Sequence, residues 1–303
     1  MTTPLGPGSV LGFVGLGNMG TPMVRRLVEA GYTVRGFDTD PAARDRIAEL
    51  GATPVTELAA VAEDADAILL MLPNSDVVEH VLDEAGLLDA ATPGTVLVDM
   101  GSSRPRSTQI LASRAAERAV RMVDAPVSGG VGGAEAGTLT IMVGGAALDV
   151  ARVRPPLDFL GGKVTHVGDI GAGHALKALN NLMSATHLLV SSEALLAGQE
   201  FGLDPAVMLE VVNGSSGRSG STEAKWPNFV LPGTFDSGFG LRLMLKDMRI
   251  AVELAHETGW PALLGEAAVE LWAKAAEELP PAADHTEIVR WLTDTHEERE
   301  ERA

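Results

Sequence analysis

The sequence predicts a parallel α/β domain followed by an all-helical domain. Three observations carry that expectation. Over residues 9–170, short apolar runs alternate with amphipathic helical stretches, the pattern of a mainly parallel sheet with helices on both sides. A glycine-rich loop joins the first apolar run to the first helical stretch. From His174 onward no strand pattern is found.

The elements follow in order. Val10–Val14 is a short apolar run. Residues 19–30 place Met23, Leu27 and Ala30 at helical spacing and end at Gly31, as at a C-cap. A second strand is expected at 32–37. Residues 67–72 and 95–99 are continuous apolar runs suited to strands buried on both faces. Helical stretches at 76–84 and 106–118 flank them, and 121–124 is the next strand. The last strands are expected at 138–143 and 163–167. Beyond them the chain reads as helices at 174–197 (closed by Gly198), 205–212, 241–257 and 261–278. Glycines 168, 171 and 173 mark the boundary, giving domains 9–170 and 171–296. A length of 303 residues suits two domains, because one core rarely grows beyond about 250–300.

Composition narrows the function. A net charge of −18 and only 4% aromatic residues argue against nucleic acid as a partner. An anionic small substrate stays possible, because a local cationic site can override the global field. With no cysteine, thiolate nucleophiles, disulfides and Cys-based metal sites are ruled out, and no metal site is expected. The first nine residues do not read as a signal peptide, no membrane span is expected, and a cytoplasmic protein is expected. The charged run at 296–303 reads as a solvated tail.

The first strand runs into Gly15, Leu16, Gly17, Asn18, Met19 and Gly20, a GxGxxG loop before a helix. The first glycine makes the tight turn, and the second lets backbone approach a pyrophosphate. The third lets helix and strand pack closely. Asp38 closes the second strand, 18 residues after Gly20. Its carboxylate suits adenosine ribose hydroxyls and repels a 2′-phosphate, which favours NAD over NADP; Thr39 adds no positive charge there. Arg35 and Arg44 are the nearby cations that soften the preference.

Three further segments carry chemistry. Asp124-Ala-Pro-Val-Ser128-Gly129-Gly130 offers a hydroxyl and backbone amides to a carboxylate, or is an ordinary glycine turn. In the 173–181 segment, Lys177 and Asn181 share a helix face, with Ser184 three residues along. Lys177 is either functional or a surface lysine with a buried stem. Lys246-Asp247 lies in a third apolar stretch and can equally be a structural pair.

Together these motifs resemble the β-hydroxyacid dehydrogenase family, over nearly the whole chain and in the right order. The resemblance implies a Rossmann-type N-terminal domain and a helical C-terminal domain, joined by the long helix bearing Lys177, with the active site in the cleft between them. It gives Lys177 the role of catalytic acid/base and has Asn181 position the substrate. Ser128, Gly129 and Gly130 would hold the substrate carboxylate. Ser102, Lys246 and the stretch containing Leu72 and Pro73 would contact the cofactor. A lysine can serve as base when desolvation and nearby positive charge lower its pKa toward ~7–8. The expected reaction is hydride transfer between the cofactor and a small 3-hydroxy acid, or reduction of the matching semialdehyde. An imine or other carbonyl reductase of the same fold, or a non-catalytic nucleotide-binding module, is the alternative. One departure stands out: Gly220 occupies a position where hydroxyisobutyrate enzymes usually carry Trp. Arg218 nearby is a carboxylate partner or a solvated loop residue. A homodimer or homotetramer is expected, because the long apolar helix exceeds what a small helical domain covers.

Overall fold

The computed structural model describes residues 3–301, with side chains through His296. The charged tail expected at 296–303 falls, past His296, outside those side chains. The chain divides into two compact units, up to Lys177 and from Ala178.

The first unit is a nine-stranded sheet. Its strands are β1 (Val10–Val14), β2 (Thr33–Phe37), β3 (Thr53–Pro54), β4 (Ala67–Leu70), β5 (Val96–Asp99), β6 (Arg121–Asp124), β7 (Val127–Ser128), β8 (Thr140–Gly144) and β9 (Lys163–Gly168). The order is β3-β2-β1-β4-β5-β6-β8-β7, with β9 also paired to β8. The pairs from β3 to β6 are parallel. Beyond β6 the sheet turns: β8 is antiparallel to β6 and β7, and parallel to β9.

Alternating side chains feed two cores. Leu11, Phe13, Leu69 and Val98 face one core, shared with α1 (Gly20–Glu29) and α2 (Pro41–Glu49). Ile68, Leu70 and Leu97 face the other. That face is covered by α3 (Ser75–Glu79), α4 (Leu87–Ala90) and α5 (Pro105–Glu117), together with 3-10 turns at Leu58–Ala62. β4 and β5 are buried at every residue, as strands between two helical layers must be. On the first face lie also α6 (Gly130–Ala136) and α7 (Ala147–Leu160).

Then α8 (Ala172–Glu200) begins; the unit boundary falls within it. The second unit continues with α9 (Pro205–Asn213), wide helical turns over Ser221–Val230, α10 (Leu241–Glu257), α11 (Leu263–Glu278) and α12 (Ile288–Glu301). Trp226 and Trp272 are the largest fully buried side chains of its core, beside Leu188, Leu241 and Met248. Asp284 ties the end of this core together. It accepts hydrogen bonds from Ser237 Oγ, the Gly238 and Phe239 amides, and Thr286. Burial alone would raise its pKa, but bonds from His285, Thr286 and Ser237 outweigh burial and hold it well below the usual carboxylate range. Among the described residues, no helix is long and apolar enough to cross a membrane.

Several expected boundaries shift. The strand expected to reach residue 72 ends at Leu70, so Leu72 lies in the following loop. The helix expected at 76–84 is α3 followed by a wide turn closed from Ala85 N to His80 O at 2.8 Å. α8 runs through Gly198 rather than stopping there; a Cβ at Gly198 would collide with the Met208 methyl. The chain turns instead at Gly202, where φ is +97°.

The start of α8 is anchored by one buried carboxylate. Asp124 Oδ1 accepts from Gly171 N at 2.7 Å, and Oδ2 accepts from His174 N at 2.8 Å. These are orphan amides of the helix N-terminus, which need an acceptor. We expect Asp124→Ala to lower unfolding stability by about 3 kcal/mol or more, since two charge-assisted bonds vanish and buried amides lose their partner. Urea unfolding measures it; a loss below about 1 kcal/mol would show that the helix start is held by packing alone.

Candidate active site

In the first unit the glycine loop follows directly from β1. Gly15 has φ +97°, and a Cβ there would collide with the Met71 carbonyl. A Cβ at Gly20 would strike the Gly15 carbonyl, so the helix could not close onto the strand. Gly17 differs: a Cβ would meet nothing within 4 Å, and Gly17 and Asn18 are exposed. Leu16 is fully buried and pins the loop to the core, while Met19 is half-buried. The backbone is therefore held from below and open above, a cradle that fits a dinucleotide pyrophosphate.

Asp38 is set against this loop. Its Oδ2 accepts from Leu16 N at 2.7 Å and its Oδ1 from Asp40 N at 2.9 Å. Each carboxylate oxygen keeps further lone-pair capacity for ribose hydroxyls. The two nearby cations are engaged: Arg35 pairs with Glu63 at 2.8 Å, and Arg44 donates to the Asp38 carbonyl at 2.5 Å. Leu72 is half-buried and Pro73 exposed in the loop after β4. Ser102 is half-buried in the loop after β5. That loop is shaped by Asp99, which accepts from Gly101 N at 3.0 Å and from Ser103 Oγ at 2.7 Å.

Ser128 is half-buried at the end of β7, and Gly129 and Gly130 follow with φ of +134° and +62°. These angles turn the backbone as few other residues could. Four residues before Ser128 sits Asp124, the anchor of α8. His174, one turn before Lys177, is 1% exposed, and its Nδ1 shares a 2.8 Å bond with Thr108 Oγ1. Lys177 itself is 7% exposed. A lysine this deep is no solvated face residue. The segment that carries Ser128 and the helix that carries Lys177 are thus locked together within one unit.

In the second unit, Asn181 is buried and its Nδ2 donates to Asp247 Oδ2 at 2.6 Å. Lys246 Nζ lies 3.1 Å from Asp247 Oδ1, so the expected Lys–Asp pair forms. Arg218 is 62% exposed at its side chain and lies 3.7 Å from Glu223. Ser184, one turn beyond Asn181, is engaged by a residue that sequence reasoning missed. Lys225 Nζ donates to Ser184 Oγ at 2.8 Å and to its carbonyl at 3.2 Å. The buried group Asp99, Asp124 and His174 was likewise missed as a unit, because its members meet only in the fold. Among the described residues no cluster of three or more His, Asp or Glu side chains is arranged to hold a metal ion.

Residues 10–168 match the family model for the NAD binding domain of 6-phosphogluconate dehydrogenase. Residues 171–292 match that for the NAD-binding of NADP-dependent 3-hydroxyisobutyrate dehydrogenase. The 2-(hydroxymethyl)glutarate dehydrogenase of Eubacterium barkeri is 42% identical over 263 residues, 86% of this chain and 87% of its own. The NAD-dependent L-serine dehydrogenase of Pseudomonas aeruginosa is 36% identical over 269 residues, 86% of this chain and 90% of its own. A solved 3-hydroxyisobutyrate dehydrogenase of Mycobacterium tuberculosis, studied with L-serine, superposes with a TM-score of 0.89 at 33% identity. It covers 94% of this chain and 99% of its own.

The glycine loop makes a paired prediction. Gly17→Ala is expected to leave unfolding stability within about 0.5 kcal/mol and to weaken binding of a nicotinamide dinucleotide at least roughly tenfold, because the new methyl stands where phosphate must approach. Gly20→Ala is expected to destabilise the fold itself. Urea unfolding and calorimetric titration of both variants would separate the two roles, and the reverse pattern would make the loop a packing turn.

Proposed function

The chain belongs to the β-hydroxyacid dehydrogenase family, and we propose that it moves a hydride between NAD and a small 3-hydroxy acid with Lys177 as the proton-transfer group. The observation that carries this reading is the double clamp of Asp124 on Gly171 and His174. It fixes the lysine helix against the segment bearing Ser128, and rigid placement of base and anion donors is what an oriented proton transfer needs.

The relatives' names suggest a common substrate frame. 3-Hydroxyisobutyrate, L-serine and 2-(hydroxymethyl)glutarate are all acids with a hydroxymethyl group on the α carbon. They differ in the remaining α substituent. In this chain Ser128 Oγ and the amides of Gly129 and Gly130 would receive the common carboxylate. Lys177 Nζ would take the hydroxyl proton during oxidation and return it during reduction. Asn181, one turn along α8 and fixed by Asp247, would orient the hydroxyl. When bound, the nicotinamide supplies the two-electron acceptor for the hydride. Gly15, Leu16, Gly17, Asn18, Met19 and Gly20 would cradle its pyrophosphate, and Asp38 its adenosine ribose, with Leu72, Pro73, Ser102 and Lys246 as further contacts. A carboxylate at 38 supports NAD over NADP through repulsion of a 2′-phosphate. Arg218, exposed beside Glu223, retains at most a place at the rim.

We also read the chain as a cytoplasmic homodimer or homotetramer. Met183 and Val190 on α8, Phe201 and Leu203 after it, and Trp260, Leu263 and Leu264 are 49–85% exposed. So much large apolar surface on one unit supports burial against further copies.

Lys177→Ala is expected to lower kcat by about 10²–10⁴-fold while NAD still binds, because proton transfer is lost and the glycine loop is intact. Activity within threefold of the parent enzyme would remove Lys177 from the acid/base role. The substrate class has its own test. Methyl esters of 3-hydroxy acids are expected to lose as much as about 10⁴-fold in kcat/KM against the acids, since the anion donors would be left unpaired. Equal rates for acid and ester would show that no carboxylate site exists.

A further inference from the structure

One imidazole in the first unit touches the end of two strands and the start of two helices. Asp99 ends β5 and Asp124 ends β6, and the two are register partners on adjacent parallel strands. Two fully buried carboxylates therefore stand side by side. His174, in the first turn of α8, reaches both. Its Nε2 lies 3.7 Å from Asp99 Oδ2 and its Nδ1 3.8 Å from Asp124 Oδ2. Nδ1 also shares the 2.8 Å bond with Thr108 Oγ1 in the first turn of α5. The backbone amide of the same residue donates to Asp124 Oδ2 at 2.8 Å.

Each of these partners leads to a segment of the candidate site. The loop carrying Ser102 is wrapped around Asp99, through Gly101 N on one oxygen and Ser103 Oγ on the other. That loop is pressed against the one carrying Leu72 and Pro73, since a Cβ at Gly101 would stand 2.6 Å from the Leu72 carbonyl. Arg104 N donates to Ser75 Oγ at 2.7 Å and joins the same two loops a second time. On the other side of the ring, Lys177 follows His174 by three residues, within the same unit.

Stability does not account for the imidazole. It is buried, and its Nε2 makes no hydrogen bond among the described residues; 3.7 Å is too long for one. A buried polar atom left in this way costs stability that an apolar side chain of similar size would not cost. Its placement between the two loops and the lysine turn supplies another role.

Resting on the reading of Lys177 as the proton-transfer group and of the Ser102 loop as a cofactor contact, we propose that His174 is a positioning residue that couples the two. Seating of the dinucleotide on the loops after β4 and β5 is passed through Asp99 and the imidazole to the first turn of α8, and so steadies the turn that presents Lys177. The contacts that carry the effect all lie in the first unit.

The test follows amide hydrogen exchange, NAD affinity by calorimetry and kcat on a 3-hydroxy acid, in the full chain and in His174→Leu and His174→Gln. In the parent, NAD is expected to slow exchange over residues 172–177 by about fivefold or more. In His174→Leu, NAD should still bind within about tenfold of the parent, because the glycine loop and Asp38 are intact. It should still slow exchange over 100–104, yet no longer over 172–177, and kcat should fall by about 10–100-fold as the lysine loses its orientation. His174→Gln keeps a polar amide between Asp99 and Thr108, and should regain most of both. A structural role alone would lower the stability of the Leu variant and leave the spread of NAD-induced protection as it was. Should the Leu variant not fold, Thr108→Val leaves the ring in place and removes its partner, and it should weaken protection over 172–177 in the same way. Protection over 172–177 that survives these substitutions, or that is missing in the parent, overturns the coupling. A parent that binds NAD but oxidises no 3-hydroxy acid sinks the reaction assigned to Lys177, while the exchange data still decide on His174. A parent that binds no NAD overturns both.

Discussion

The first unit depends on where one carboxylate is placed. Asp124 ends β6 in the interior and is fully buried. Its two oxygens are consumed by the amides of Gly171 and His174. The backbone around it has had to clear away side chains. A Cβ at Gly144 would strike Asp124 Oδ1, and one at Gly173 would strike the Met142 carbonyl and come within 2.8 Å of Asp124 Oδ2. A strand end, a turn and a helix start therefore converge on a single acceptor. Lys177 lies one turn from this point, so the reach and direction of its amine follow from how firmly the helix is held there.

The strands between helical layers were legible because burial on both faces leaves continuous apolar runs, as at β4 and β5. Weaker elements were not. α2 buries only Ala43 and Ile47, too sparse a stripe for periodicity, although Asp40 caps it through Ala42 N at 3.0 Å and Pro41 opens it. α7 carries Pro155 and Pro156 inside a helix, where local rules place a break. Burial of Val150, Val153, Leu157 and Leu160 in the core overrides them. β7 has two residues and α6 is built largely of glycine, so neither could announce itself.

The site shows the same division. The glycine loop, Asp38, Ser128 and Lys177 could be singled out because each sits in a short run whose residue types state their chemistry. What surrounds them could not. Asp124 meets its partners across 47 and 50 residues, and Lys225 meets Ser184 across 41. A lysine among Ala224 and Trp226 is mute in sequence; it acquires meaning from a serine on another helix. The second unit adds a contrast in sign. Asp284 is over-supplied with donors and stays ionised, while Lys225 is under-supplied with acceptors and loses its proton easily. Because the carboxyl pKa is depressed on folding, Asp284 adds stability that is present above its unfolded value near 3.8 and is lost as pH falls through the lower folded value.

Strand order has a consequence for how the chain assembles as it is made. β1 is central, with β2 on one side and β4 on the other. Once residue 70 has emerged from the ribosome, the strands that shape the glycine loop exist and both edges of β1 can be covered. The sheet then grows outward in the order of synthesis through β5 and β6. Asp124 must wait far longer, since His174 appears 50 residues after it. During that interval a carboxylate destined for the interior has only water for company. The nucleotide-side half of the unit thus forms from near neighbours, and the half that holds Lys177 closes late, by the longer and slower kind of contact.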